Sequence, residues 1–138
     1  MIIMWIVDTC VAVDILKDHD RFGEASMQLY DQYFDQGLGI SPTVYAELAP
    51  LFPNEKIQHQ VLEAFGLEIL SWEKVDTIKS SEGWRSYIHL KRQQNTEKRV
   101  IADIMIGAFA SRFQGLITRN PKDFEPYFPD LKILNPMG

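Results

Sequence analysis

Six consecutive apolar residues, Ile2 to Val7, run into Asp8 near the start of the chain. A stretch without polar alternation predicts a strand buried on both faces, because an alternating strand leaves every second side chain in water. Val11 to Leu16 then opens a helix. From Glu24 to Asp35 the apolar residues Ala25, Leu29, Tyr30, Tyr33 and Phe34 fall at helical spacing, and Gly37 ends the pattern. Leu38 to Ser41 predicts a second, short strand. Thr43 is placed to cap a helix over Val44 to Leu51 that breaks near Pro50 and Pro53. Asn54 caps the next helix, whose buried face is Ile57, Val61, Leu62 and Phe65, with Gly66 as its stop. Leu67 to Leu70 predicts a third strand, and Glu73 to Leu90 a longer, weaker helix with a weak point at Gly83. Residues 91–99 are polar throughout and read as a loop. Val100 to Phe113 is apolar nearly all round, the signature of a helix buried on several sides. Gly115 to Thr118 and Leu131 to Leu134 complete the strands, the latter at an edge, with Phe124, Tyr127 and Phe128 between them as core plugs.

Strands alternating with helices predict an α/β fold: a three-layer α/β/α sandwich on a largely parallel sheet of four or five strands. At 138 residues the length fits one domain over 1–138. An apolar fraction of 46% excludes a disordered chain, and no apolar run approaches the roughly 20 residues that cross a bilayer. The N-terminal apolar stretch lacks a basic leader and contains Asp8 and Asp14, which argues against a signal peptide. A single cysteine, Cys10, permits no internal disulfide, so a reducing, cytoplasmic setting is expected. Net charge is −5, unpromising for a nucleic-acid binder, but it is unevenly spread. Residues 1–70 hold three basic and eleven acidic side chains, residues 71–138 eleven and eight. A basic face beside an acidic site is therefore compatible with an acidic protein.

Four acids share one description. Asp8 ends the first strand, and Asp123 follows the fourth. Glu47 stands at i+3 from Val44 and precedes Leu48 and Leu51, which puts it in the apolar stripe of its helix. Asp103 is the one charge between Arg99 and Arg112 in an otherwise apolar helix, a placement that is expensive unless compensated. In a parallel α/β fold such positions converge beyond the carboxyl ends of the strands, where ligands bind. Carboxylates with no matching histidine or cysteine are oxygen ligands for a hard divalent ion, Mg²⁺ or Mn²⁺. Capping or surface duty for any single acid is the competing reading.

Four segments carry a family resemblance: Ile6 to Val11 around Asp8-Thr9, Thr43 to Leu48 around Glu47, Ala102 to Ala108 around Asp103, and Leu116 to Phe124 with Thr118-Arg119-Asn120-Pro121-Lys122-Asp123. In this order they resemble the PIN-domain ribonucleases, and among them the VapC-type toxins of toxin–antitoxin pairs. The resemblance implies a PIN-like fold and a Mg²⁺- or Mn²⁺-dependent endoribonuclease. Asp8, Glu47 and Asp103 would be its core acids and metal ligands, with Thr9 as the hydroxyl supporting the first. The fourth place falls to Asp123 or, as a metal ligand, to Asn120, which stands where the family often has an acid. Arg92, Lys98, Arg99 and Arg119 flank Asp103 and Asn120 and are candidates for substrate phosphate, and Thr9 is a further candidate for binding substrate. The implied partners are an RNA substrate, a small antitoxin protein and a second copy in a homodimer, with no membrane. A PIN-like binding module without catalysis, or a nuclease acting on DNA, are the alternatives.

Other signals carry less. His19, His59 and His89 lack metal-ligand spacing, Cys10 reads as a buried thiol, Asp14 as a surface acid, and Trp5, Trp72 and Trp84 as core.

Overall fold

A computed structural model describes residues 2–17, 20–91 and 99–138. Five strands form one sheet: β1 (Ile2–Val7), β2 (Leu38–Ile40), β3 (Leu67–Ile69), β4 (Phe113–Ile117) and β5 (Ile133–Leu134), in the order β3-β2-β1-β4-β5. All neighbours are parallel, with Ile6 opposite both Gly39 and Leu116. Between them run α1 (Thr9–Lys17), α2 (Gly23–Tyr33), α3 (Pro42–Leu48), α4 (Glu55–Ala64), α5 (Lys74–Lys91) and α6 (Arg99–Ala110).

The chain adds β2 and β3 on one side of β1, then crosses back to add β4 and β5 on the other. Crossovers that reverse direction lay helices on both faces and open a crevice where the order reverses, at the carboxyl ends of β1 and β4. That crevice is where Asp8 and Thr118 leave the sheet. The main core lies on the central strands, where Ile6, Val7, Leu38, Ile40, Leu116 and Ile117 are all buried. A smaller one, of Tyr87, Ile104, Ala108 and Phe128, joins α5 and α6 to the segment after β4.

Element boundaries moved where capping and packing outweighed periodicity. Ser41, not Thr43, caps α3: its hydroxyl accepts from the Val44 amide at 3.2 Å, and Pro42 takes the first helical position, where its missing N–H costs nothing. Asn54 caps α4 as expected, accepting from Ile57 at 2.9 Å. Gly37, at φ 98°, turns the chain into β2. Phe113 belongs to β4 rather than to the preceding helix. Nor is α6 buried all round, since Ile101 is 54% exposed.

Gly83 is no weak point, because α5 runs through it unbroken. A Cβ there would stand 2.6 Å from Cζ of Phe128, and one on Gly107 of α6 would stand 2.6 Å from Cδ2 of the same ring. The two glycines form the seat into which Phe128 drops. Gly107→Val is expected to cost about 1–3 kcal/mol by overpacking. It should lower the melting temperature by roughly 3–10 °C, read by circular dichroism; an unchanged midpoint would mean that the seat has slack.

Candidate active site

Asp8 is built in by the strand that delivers it. Its amide donates to the Ile117 carbonyl at 2.9 Å, prolonging the β1–β4 pairing by one residue, and its carboxylate is only 3% exposed. Oδ1 accepts from the Thr9 amide at 2.8 Å, which opens α1. Oδ2 accepts the Thr118 hydroxyl at 2.7 Å and, more weakly, the Cys10 thiol at 3.5 Å. Thr118 in turn accepts the Asn120 amide at 3.0 Å, so the loop after β4 is fastened to the acid at the end of β1. Thr118 is a site residue that acid counting overlooks; its signal was position, since it follows β4 as Asp8 follows β1.

Thr9 links this acid to the next. Its hydroxyl donates to Glu47 Oε1 at 2.5 Å, across 38 residues of sequence. Glu47 is half-buried on α3, as its place in the apolar stripe between Val44 and Leu48 requires. Thr9 thus touches a carboxylate rather than pointing into open space for substrate.

Asp103, 8% exposed, lies in the first half of α6, and Asp123 is exposed in the short turn Pro121–Asp123. The side chain that senses both is Tyr127. Its phenol is pushed up from its ordinary pKa by burial first, then by Tyr87, Asp123 and Asp103. Thr9 thus bridges Asp8 and Glu47 by hydrogen bonds, and the charges of Asp123 and Asp103 both act on the Tyr127 phenol. Among the described residues, no group of three or more His, Cys, Asp or Glu side chains is drawn together as a ready-made metal cage.

The donor set nevertheless fits a hard cation: carboxylate, hydroxyl and amide oxygens, with one sulfur. That sulfur is held out of play. Burial, then the charge of Asp8, push the Cys10 thiol up to about 11, so it stays protonated and offers no soft thiolate ligand at neutral pH. Asn120, exposed at the rim, directs its side-chain nitrogen toward Cys10 Sγ at 3.8 Å.

Two expectations need correction. Asp14 is not a surface acid but wholly buried: it accepts the Ser26 hydroxyl at 2.8 Å and Arg119 Nε at 2.8 Å. The signal was available, because Val11, Asp14 and Ile15 follow the same stripe spacing that singled out Glu47. Arg119, a candidate for substrate phosphate, is engaged instead by Asp14 through Nε and Nη2 and by the Phe22 ring, 3.9 Å from its guanidinium carbon. It braces the loop from beneath. Arg92, Lys98 and the Arg99 side chain, with His19, lie outside the described residues.

No family model matches the chain, and no curated protein matches it either. Solved structures do. A chain of the DNA-bound VapBC from Salmonella typhimurium aligns with a TM-score of 0.70 at 18% identity, covering 97% of this chain and 98% of that one. VapBC2 from Rickettsia felis, bound to a DNA fragment from its promoter, gives 0.68 at 20% identity over 96% and 98%. FitAcB from Neisseria gonorrhoeae gives 0.68 at 21% over 97% and 99%. The likeness spans each partner almost entirely, and at these identities what it establishes is the architecture: this chain has the PIN-like fold built as in the VapBC complexes.

Proposed function

We propose that this chain is a Mg²⁺- or Mn²⁺-dependent endoribonuclease, the toxin of a toxin–antitoxin pair. The observation that carries the reading is the buried Asp8 at the switch point of a parallel sheet, oriented by Thr118 and neighboured through Thr9 by Glu47. Asp8, Glu47 and Asp103 would hold the cation, with Asn120 or Asp123 at the rim. When bound, such an ion supplies Lewis acidity at a phosphoryl oxygen and a more easily deprotonated water.

The protein's own part is positional. Two hydrogen bonds fix the Asp8 carboxylate against rotation, and Thr9 fixes one oxygen of Glu47. Neither acid then spends conformational freedom when the reacting phosphate arrives. A crevice at a sheet edge admits a splayed single strand more easily than a duplex, which favours looped or single-stranded RNA. The likeness to structures named as VapBC complexes supports an antitoxin partner, which in this reading is a small protein covering the crevice. Assembly as a homodimer belongs to the same reading. No helix among the described residues is long and apolar enough to cross a membrane.

Cleavage of a labelled RNA is expected with Mg²⁺ or Mn²⁺, to vanish with a chelator, and to return when metal is restored. Cleavage unaffected by chelation would rule the reading out. The presence of Asn120 where an acid is frequent favours a second reading, a PIN-like module that binds without cutting. Calorimetric titration separates the two, for a cutting enzyme must bind Mn²⁺ above the level of an Asp8→Asn/Asp103→Asn control. Offering RNA and DNA of one sequence tests the DNA alternative.

A further inference from the structure

The aromatic segment after β4 brings one ring to the edge of the acids. Phe124 and Phe128 are buried, and both face Gly107, which lies one turn beyond Asp103 on α6. Phe128 also lies against Ile104, the next residue after Asp103. Residues 124–128 are thereby fixed alongside that acid. Tyr127, held within the same segment by the hydrogen bond its backbone N–H donates to the Phe124 carbonyl at 3.1 Å, is only half-buried.

Behind it stands an aromatic tier. The Tyr127 ring meets Tyr87 edge to face, with centroids 5.7 Å apart at 69°, and Tyr87 is stacked on Trp84 at 5.3 Å and 29°. Tyr87 is 2% exposed, and its hydroxyl has no hydrogen-bond partner among the described residues. Its contribution here is a rigid ring that backs Tyr127, whose hydroxyl lies in the field of Asp103 and Asp123. That negative field repels phosphate, yet it tolerates the neutral π-face of a base.

We propose that Tyr127 is the platform on which the nucleobase beside the scissile phosphate stacks, making it a substrate-positioning residue. This rests on the RNA-cleaving reading above. A ring with two torsions, already packed on one side, gives up little entropy on stacking, and every base offers it a face.

The test is an abasic scan. Single-stranded RNA cut by the parent protein with Mg²⁺ is resynthesised with one base removed at each position around the cleavage site. At one register, loss of the base is expected to raise KM roughly 10- to 100-fold, the usual worth of one base–aromatic stack, with kcat little changed. Tyr127→Leu should suffer a similar rise on intact RNA and be indifferent to base removal at that register. Tyr127→Phe should behave as the parent. In Tyr127→Trp, the added fluorescence should be quenched by intact RNA and not by the abasic strand, a binding readout that serves even should the leucine variant fail to fold. The same abasic penalty in Tyr127→Leu, no sensitive register in the parent, or equal quenching by both strands overturns the inference. A parent that binds and cuts no RNA overturns the nuclease reading and this one with it.

Discussion

Asp8→Asn is expected to abolish metal-dependent RNA cleavage while leaving the fold intact. The replacement keeps the volume of a side chain that is 3% exposed, and its amide oxygen can still accept from the Thr9 amide. What it loses is the charge that would hold the cation. Removing even a supporting partner of a metal ligand costs about 10- to 100-fold in metal affinity or activity, so loss of the ligand itself should exceed 100-fold. Asp103→Asn should behave alike. Thr118→Val, which deletes only the hydroxyl donated to Asp8 at 2.7 Å, belongs in the intermediate range. Single-turnover cleavage of a labelled RNA at matched metal concentration, with circular dichroism to verify folding, gives all three. Were Asp8→Asn to cut at the parent's rate, the acid would have no part in the chemistry and the assignment would fail.

Arg119→Leu is expected to be the most destabilising single change at the site, and a greater loss than Asp14→Asn. Asp14 is fully buried, and its carboxylate is held by Ser26 and by Arg119. Deleting the guanidinium leaves a buried charge with a single hydroxyl in its place. Breaking a buried pair in this way costs about 3–5 kcal/mol, or roughly 10–20 °C in melting temperature for a domain of this size. Asp14→Asn removes the charge itself and keeps an acceptor for Ser26, and the freed Arg119, 19% exposed, retains its contact with Phe22. The double variant Asp14→Asn/Arg119→Leu should therefore be more stable than Arg119→Leu alone. Thermal denaturation of the three proteins checks the order. A midpoint for Arg119→Leu within a few degrees of the parent would show that the pair contributes little and that Arg119 is available for other work.

Much of this could be read along the chain, for identifiable reasons. The unbroken apolar run Ile2 to Val7 announces a strand, buried on both faces at Trp5, Ile6 and Val7 although Ile3 is 67% exposed, and Asn54 and Gly37 punctuate the helices as their chemistry dictates. Glu47 betrayed itself as a carboxylate in an apolar stripe. The same spacing places Asp14 in the buried stripe of its helix, but the partner that makes its burial possible lies 105 residues away and leaves no local sign. Arg119 is the mirror image. Its neighbours in sequence are site residues, whereas its neighbours in space are Asp14 and Phe22.

The order of strands and helices, the apolar faces that must be buried and the acids that no core would hold without compensation are all legible along the chain, because periodicity and desolvation act within a few residues. Which side chains meet is a property of the folded chain alone: Thr118 on Asp8 across 110 residues, Thr9 on Glu47 across 38, Phe128 seated between Gly83 and Gly107, and Tyr127 against Tyr87. Those pairings follow from the β3-β2-β1-β4-β5 order, which brings distant chain ends to one edge of the sheet. Contacts between residues so far apart leave no trace in local pattern, since a hydrogen bond depends on separation in space and not on position along the chain.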